Sequence, residues 1–335
     1  MFRPSKRCGT DARERNKYMK IAITCHYAKL PEDHPVWKRA CCFAEIVLSK
    51  EGQLTAEELI DFIQGADALI TGTDWMREDV IARVPACLKV ISRPAVGYDR
   101  VDIQAARKRG IHVCNAPGTN TDAVADLTMG LLLSCARKIP DYVAETRSLQ
   151  WKLTGKQMNL GGKTLGILGL GAIGRAVAVR AKAFGMKILA YDPFLNEAFC
   201  QEQKIEAADM EAVLSRSDVI SLHLPLLEET YHLINKEQIC RMKDGVILLN
   251  AARGGLVDHE DLCRALEEKK ISAYGADVME EEPPGDHPLF HLPNVYITPH
   301  AAANTLEASE NMMAVALTNV LDLLEGKPCK NIVNL

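Results

Sequence analysis

The stretch from Lys163 to Asp192, KTLGILGLGAIGRAVAVRAKAFGMKILAYD, constrains the chain more than any other. An apolar, β-prone run from Thr164 to Leu168 enters a glycine turn, Gly169-Leu170-Gly171-Ala172-Ile173-Gly174. A helical pattern follows to Phe184, Gly185 breaks it, and a second apolar strand ends on Asp192. A lone G-x-G-x-x-G is weak evidence, because short glycine patterns also occur in plain turns. Here strand, turn, helix, strand and terminal carboxylate arrive in order, which is the context that the motif requires. Each glycine has its own mechanical role. One allows a sharp turn, one lets backbone approach a pyrophosphate closely, and one lets helix pack tightly on strand. The helix N-terminus then offers N–H groups and partial positive charge to phosphates.

Asp192 selects the cofactor. A carboxylate there accepts hydrogen bonds from both ribose hydroxyls of the adenosine half, whereas a 2′-phosphate would meet like charge. Tyr191-Asp192-Pro193-Phe194 contains no arginine to hold such a phosphate. NAD is therefore expected rather than NADP.

The 335 residues allow two domains, and 47% hydrophobic with 25% charged residues is ordinary for a soluble globular chain. A net charge of -4 supplies no basic field for nucleic acid. No apolar run reaches membrane-spanning length, and residues 1–18 lack the apolar core of a signal peptide. That stretch is basic and without hydrophobic period, so it reads as a disordered tail, with Met19 as the expected biological start. An amphipathic targeting peptide is the other reading, and Asp11 and Glu14 weigh against it. The 11 cysteines include no C-x-x-C pair, which excludes a zinc knuckle and a secreted disulfide framework. Reduced thiols in a cytoplasmic protein, with no metal, are expected.

Short β-prone runs recur near Ile21, Ile46, Ala68, Lys89 and Ile111 with helical patterns between them, the rhythm of a parallel sheet with crossover helices. Helices are expected after His34-Pro35 and over Thr55 to Ile63, Arg77 to Val84 and Asp102 to Lys108. Thr121 to Arg137 reads as a long helix that is apolar on more than one face, so burial at a domain or subunit boundary is expected. A second helical stretch follows to Gln150. From Lys163 the rhythm restarts, with strands near Leu165, Ile188, Val219, Val246, Ala273 and Val295. The last helix, Thr305 to Leu324, is expected to cross back and close the first sheet. The chain is thus read as α/β, with two doubly wound units, a cleft between them, and ligands at the carboxyl ends of both sheets.

Charged residues stand at three strand ends of the second unit. Val246 to Asn250 runs into Ala251-Ala252-Arg253-Gly254-Gly255, where Arg253 has the fork to grip a carboxylate through two parallel hydrogen bonds, or to make a structural salt bridge. The next strand ends at Asp277 and opens into Val278-Met279-Glu280-Glu281-Glu282-Pro283-Pro284, which by composition reads as a solvated loop. The last ends in Ile297-Thr298-Pro299-His300, a histidine behind a proline and a candidate acid/base, although isolated histidines are more often structural.

The blocks Asn250 to Asp258, Asp277 to Pro284 and Thr298-Pro299-His300 closely resemble those of the D-isomer-specific 2-hydroxyacid dehydrogenases. The likeness runs from about Ile21 to the C-terminus and includes Ser92 to Asp99 and Asn115 to Asn120. The resemblance implies a Rossmann NAD-binding domain over residues 119–304, inserted into a flavodoxin-like substrate domain formed by 19–118 and 305–335. It implies a catalytic set of Arg253, Glu282 and His300, acting on a small 2-hydroxy or 2-keto acid. His300 would exchange a proton with the C2 oxygen while hydride passes between C2 and the nicotinamide, and Glu282 beside the imidazole favours its charged form. Arg253, with backbone N–H groups of Val96 and Gly97, would hold the substrate carboxylate. Further cofactor positions implied are Ala172 and Ile173 in the phosphate turn, Leu224 and Pro225, Ala251, and Asp277 on the carboxamide, with Arg253 and His300 beside the nicotinamide. His223 reads as structural or as a cofactor neighbour.

Within the family the blocks look most like phosphoglycerate dehydrogenases and hydroxypyruvate or glyoxylate reductases. Arg93 sits where the former use an arginine near the substrate phosphate, but Thr71 replaces another arginine, and no serine-sensing domain follows Leu335. A dianionic phosphate wants more than one fixed cation, which favours a short unphosphorylated acid. Phe194 and Trp37 read as packing. An NAD(H)-sensing or corepressor-like protein without turnover is the reading from a different class. The family implies a homodimer formed through the nucleotide domain, with which the apolar helix Thr121 to Arg137 is consistent.

Overall fold

The computed structural model describes residues 19–50, 52–153 and 155–335, and the expected tail lies outside them. The chain divides into two compact units, one ending at Asn120 and resumed by Asn304–Leu335, the other Thr121–Ala303.

In the first unit, strands β1 (Lys20–Ile23), β2 (Glu45–Leu48), β3 (Ala68–Ile70), β4 (Val90–Ser92) and β5 (His112–Cys114) form a five-stranded sheet in the order β2-β1-β3-β4-β5. All neighbours are parallel, and this order is the flavodoxin-like one. Strands β3 and β4 are buried throughout, as continuous apolar runs between two helical layers should be. The crossover helices begin where local chemistry satisfies their first N–H groups. Thr55 and Glu58 form a capping box ahead of Ala56–Phe62, and Asp102 caps Ile103–Lys108. Helix Leu306–Leu324 packs on β4 and on helix Pro35–Phe43, burying Met312, Met313, Ala316 and Leu317, and so returns to the first unit.

In the second unit, β6 (Thr164–Leu168), β7 (Lys187–Tyr191), β8 (Glu206–Ala207), β9 (Val219–Leu222), β10 (Val246–Asn250), β11 (Ile271–Ala276) and β12 (Val295–Ile297) make a seven-stranded sheet in the order β12-β11-β10-β9-β6-β7-β8. All its pairs are parallel, and the order reverses between β6 and β9, which is the Rossmann switch point where ligands bind. The edge strand β8 has no signal in the sequence pattern, because its two residues are both exposed and carry no apolar run.

Helix Thr121–Arg137 spans the expected residues, but it is buried against its own unit. Val124, Thr128, Leu131, Leu132 and Cys135 are covered, and the helix packs on β10, β11 and helix Ala172–Ala183. Contact with β11 is close enough that a Cβ on Gly275 would lie 2.9 Å from the Cys135 Sγ. Arg180 fixes the two helices from outside, reaching Asp122 at 2.9 Å and Asp126 at 2.6 Å. The following helix is Ile139–Arg147 and stops short of Gln150, where Leu149 turns to φ +58°. Among the described residues no helix is long and apolar enough to cross a membrane.

Candidate active site

The three glycines of the turn have different surroundings. Gly169, at φ +99°, lies against the chain leaving β9, and a Cβ there would sit 2.7 Å from the His223 carbonyl carbon. At Gly174 a Cβ would be 2.1 Å from the Gly169 oxygen, so only glycine lets the helix approach the turn. At Gly171 a Cβ would meet nothing within 4 Å: open space borders the backbone at the helix start. Gly171 is also the N-cap of Ala172–Ala183 and supplies no side-chain cap, which leaves that helix end suited to an anion. Ala172 is exposed there and Ile173 half-buried. Asp192 accepts from Leu170 N at 2.7 Å and Phe194 N at 2.7 Å. It thus pins the turn, and each oxygen keeps a second lone pair for a ribose hydroxyl. These residues fit a dinucleotide. Phe194 itself is 93% exposed, so packing does not account for it.

Three neighbouring strands, β10, β11 and β12, lead into the segments that carry Arg253, Glu282 and His300. After β10, Asn250 folds the chain back: its Oδ1 accepts from Ala252 N at 3.1 Å and its Nδ2 donates to the Arg253 carbonyl at 2.8 Å. Ala251 lies within this turn. Gly254 follows with its Cα against Met279 and Glu280, where a Cβ would meet the Met279 carbonyl carbon at 2.1 Å. This close approach brings the Arg253 segment beside the loop after β11.

In that loop the Glu282 Oε1 accepts from Met279 N at 3.1 Å, and its Oε2 lies 2.8 Å from His300 Nδ1. The imidazole is 51% exposed while Glu282 is 23% exposed, so the carboxylate holds the ring from the protein side. His300 stands at φ +51°. Such a conformation costs a non-glycine residue about 1–2 kcal/mol. Asp277, 1% exposed, holds that turn. Its Oδ1 accepts from the Thr298 hydroxyl at 2.5 Å and Ala301 N at 2.8 Å, and its Oδ2 accepts from Ala302 N at 2.8 Å. Hydrogen bonds to a charged group contribute about 1.5–3 kcal/mol each, enough to offset the strain. One acceptor site remains on Oδ2, which fits a single amide donor such as a carboxamide.

The acidic loop is not a solvated run. Besides Glu282, Glu280 is engaged: it accepts from the Tyr231 hydroxyl at 2.6 Å and lies 3.2 Å from His232 Nε2, whose ring stacks on Tyr231. His223 follows β9, with Leu224 buried and Pro225 exposed after it. Its Nε2 lies 2.9 Å from the Ser221 hydroxyl, and its Nδ1 is buried without a partner. Burial pushes its pKa down to about 4, so the ring is neutral at physiological pH.

Arg93, Val96 and Gly97 belong to the first unit, in the loop after β4. Arg93 is 7% exposed. The Val96 carbonyl accepts from Asn115 Nδ2 at 2.8 Å, which fixes the peptide plane ahead of Gly97. Thr71 is fully buried and its hydroxyl donates to Asp74 at 2.9 Å. Asn115, Asn250 and Thr298 stand within the family-like blocks of the sequence, at or one step beyond a strand end, but the residues alone assign them no role. Among the described residues no group of histidine, cysteine or carboxylate side chains is arranged to hold a metal ion.

The sequence model for the D-isomer specific 2-hydroxyacid dehydrogenase, NAD binding domain, matches residues 129–302. D-3-phosphoglycerate dehydrogenase of Methanocaldococcus jannaschii is 44% identical over 286 residues, which cover 84% of this chain and 54% of that one. The chain thus spans about half the length of the first phosphoglycerate dehydrogenases it matches. Glyoxylate reductase of Thermococcus litoralis is 42% identical over 302 residues, covering 87% of this chain and 91% of that protein. The TT0316 protein of Thermus thermophilus superposes with a TM-score of 0.84 at 39% identity, over 94% of this chain and 100% of that one. The dinucleotide turn, the ordered strand ends and these matches agree: the chain belongs to the D-isomer-specific 2-hydroxyacid dehydrogenase family, and its second unit is the NAD-binding domain.

Proposed function

We propose that this protein catalyses reversible hydride transfer between NAD(H) and C2 of a short 2-hydroxy or 2-keto acid of the hydroxypyruvate or glyoxylate type. The observation that carries the reading is the 2.8 Å pairing of His300 Nδ1 with Glu282 on an imidazole that is half exposed. With Nδ1 turned to the carboxylate, Nε2 is the nitrogen that meets substrate. In reduction, Nε2 donates its proton to the C2 oxygen; in oxidation it takes the proton back. Glu282 orients the ring through its 2.8 Å contact with Nδ1. Bound NADH supplies the hydride. Arg253 grips the carboxylate and polarises the C2 oxygen, whose charge grows in the transition state for reduction. The family resemblance further assigns backbone N–H groups of Val96 and Gly97 to the substrate carboxylate, and Arg93 to the substrate. Asp277 would hold the cofactor carboxamide.

An unphosphorylated acid is favoured because Thr71 is sealed against Asp74 and brings no charge to a position where a second cation would serve a phosphate. The protein is further proposed to work in the cytoplasm as a homodimer.

The test is NADH oxidation by purified protein with hydroxypyruvate, glyoxylate, pyruvate and phosphohydroxypyruvate in parallel. The reading expects turnover with the two short acids, and a loss of about a hundredfold or more in His300→Ala, the scale of a lost general acid. Preference for phosphohydroxypyruvate would overturn the substrate assignment. Tight NADH binding with no acid reduced would point to the sensor reading instead.

A further inference from the structure

Behind Arg253, Glu282 and His300 runs a line of hydrogen bonds across three strand ends. The Asn250 carbonyl accepts from Asp277 N at 3.0 Å, and Thr298 N donates to the Ala276 carbonyl at 2.9 Å. The Thr298 hydroxyl has two acceptors in reach, the Ala276 carbonyl at 3.4 Å and the Asp277 Oδ1 at 2.5 Å. A hydroxyl carries one proton, and the shorter bond to a carboxylate takes it. Asp277 is then held at Oδ1 by Thr298 while its two oxygens take the Ala301 and Ala302 N–H groups, in the turn that carries His300 in its left-handed conformation.

We propose that Thr298 is a positioning residue: its hydroxyl orients the Asp277 carboxylate, which fixes the turn that aims the His300 imidazole at substrate. The proposal rests on the assignment of His300 as proton donor. Glu282 is anchored separately, to Met279 N at 3.1 Å. Loosening the Thr298 tie therefore shifts the imidazole relative to its carboxylate without moving the carboxylate itself. The glycine turn and Asp192, far from Thr298 along the sheet order, are untouched.

The experiment compares Thr298→Val, which keeps the shape and removes the hydroxyl, with Thr298→Ser, which restores it. Each is assayed for kcat and KM with hydroxypyruvate and for NADH affinity by fluorescence. The expected result is a fall in kcat of about tenfold to a hundredfold in the valine variant, the scale of a small misplacement of a catalytic group. NADH affinity falls by a smaller factor than kcat, through the Asp277 contact to the carboxamide, and the serine variant recovers most of kcat. If the valine variant does not fold, Thr298→Ala is read in the same way. Equal kcat in the valine variant and the wild type, or a serine variant no better than valine, overturns the proposal. Nitrogen-15 NMR of the His300 ring, assigned with His300→Gln, separates this failure from failure of the functional reading. It needs no turnover, and the proposal expects the Nδ1 signal that marks the Glu282 bond in wild type to shift in the valine variant and return in the serine variant. An unchanged signal overturns it.

Discussion

Gly171 and Gly174 are the same residue three positions apart, yet their surroundings give them different work. A Cβ at Gly171 enters open space, whereas at Gly174 it would fall 2.1 Å from a carbonyl oxygen. Gly171→Ala should therefore leave the thermal midpoint near wild type while weakening NADH binding several-fold, read by fluorescence titration. Gly174→Ala should lower stability by about 1–3 kcal/mol or more, as overpacking does, read by urea unfolding. Equal effects of the two on binding and stability would contradict this division. The glycines and Asp192 are legible in the sequence because their roles follow from local backbone geometry, within one βαβ unit. The roles of Asn250 and Thr298 are not, although both stand in the family-like blocks, because they act through hydrogen bonds to segments that only the fold brings alongside. Nothing in the local pattern distinguishes a serving asparagine or threonine from a solvated one.

At the scale of elements, strand rhythm and helix caps are legible because apolar runs and capping residues are local. What escapes is which neighbour an apolar helix chooses. Thr121–Arg137 is apolar on several faces because β10, β11 and helix Ala172–Ala183 all pack on it. The tightest of these contacts is at Gly275, where a Cβ would lie 2.9 Å from Cys135 Sγ and 3.2 Å from Leu131 Cβ. Gly275→Ala should cost about 1–3 kcal/mol by overpacking, measured as a lower urea midpoint with an unchanged slope. An unchanged midpoint would show that the helix yields without cost. The acidic loop after β11 defeats composition for a related reason. Composition counts three glutamates, whereas Tyr231 and His300, distant in sequence, engage two of them.

At the scale of the whole molecule, two histidines set an acid limit. Burial pushes His223 and His259 from the ordinary 6.5 down to about 4. Between those values the unfolded chain binds protons that the folded chain does not, so stability rises with pH and is lost as pH falls from about 6.5 toward 4. Each histidine adds at most about 1.4 kcal/mol per pH unit to that slope. Urea unfolding across this range should show the decline, and His223→Asn should flatten it; a slope unchanged by the substitution would contradict the burial argument. Assembly is a second property at this scale. Leu149, Trp151 and Leu153 are 95%, 93% and 90% exposed, and they follow a helix that exposes Ile139 and Val143. Apolar side chains this close together are the surface that the proposed homodimer would cover. Light scattering should find a dimer that Trp151→Ser combined with Leu153→Ser weakens; a wild-type monomer at micromolar concentration would refute the homodimer.

In the proposed reaction His300, paired with Glu282, transfers the proton of a D-specific 2-hydroxyacid. Its most direct test is oxidation of D- and L-glycerate with NAD, followed by NADH absorbance, in wild type and in His300→Ala with NAD binding measured alongside. The expected result is that the D-enantiomer is oxidised and the L-enantiomer is not, and that the activity vanishes in the variant while NAD binding persists. Oxidation of the L-enantiomer, or activity that survives in His300→Ala, would contradict it.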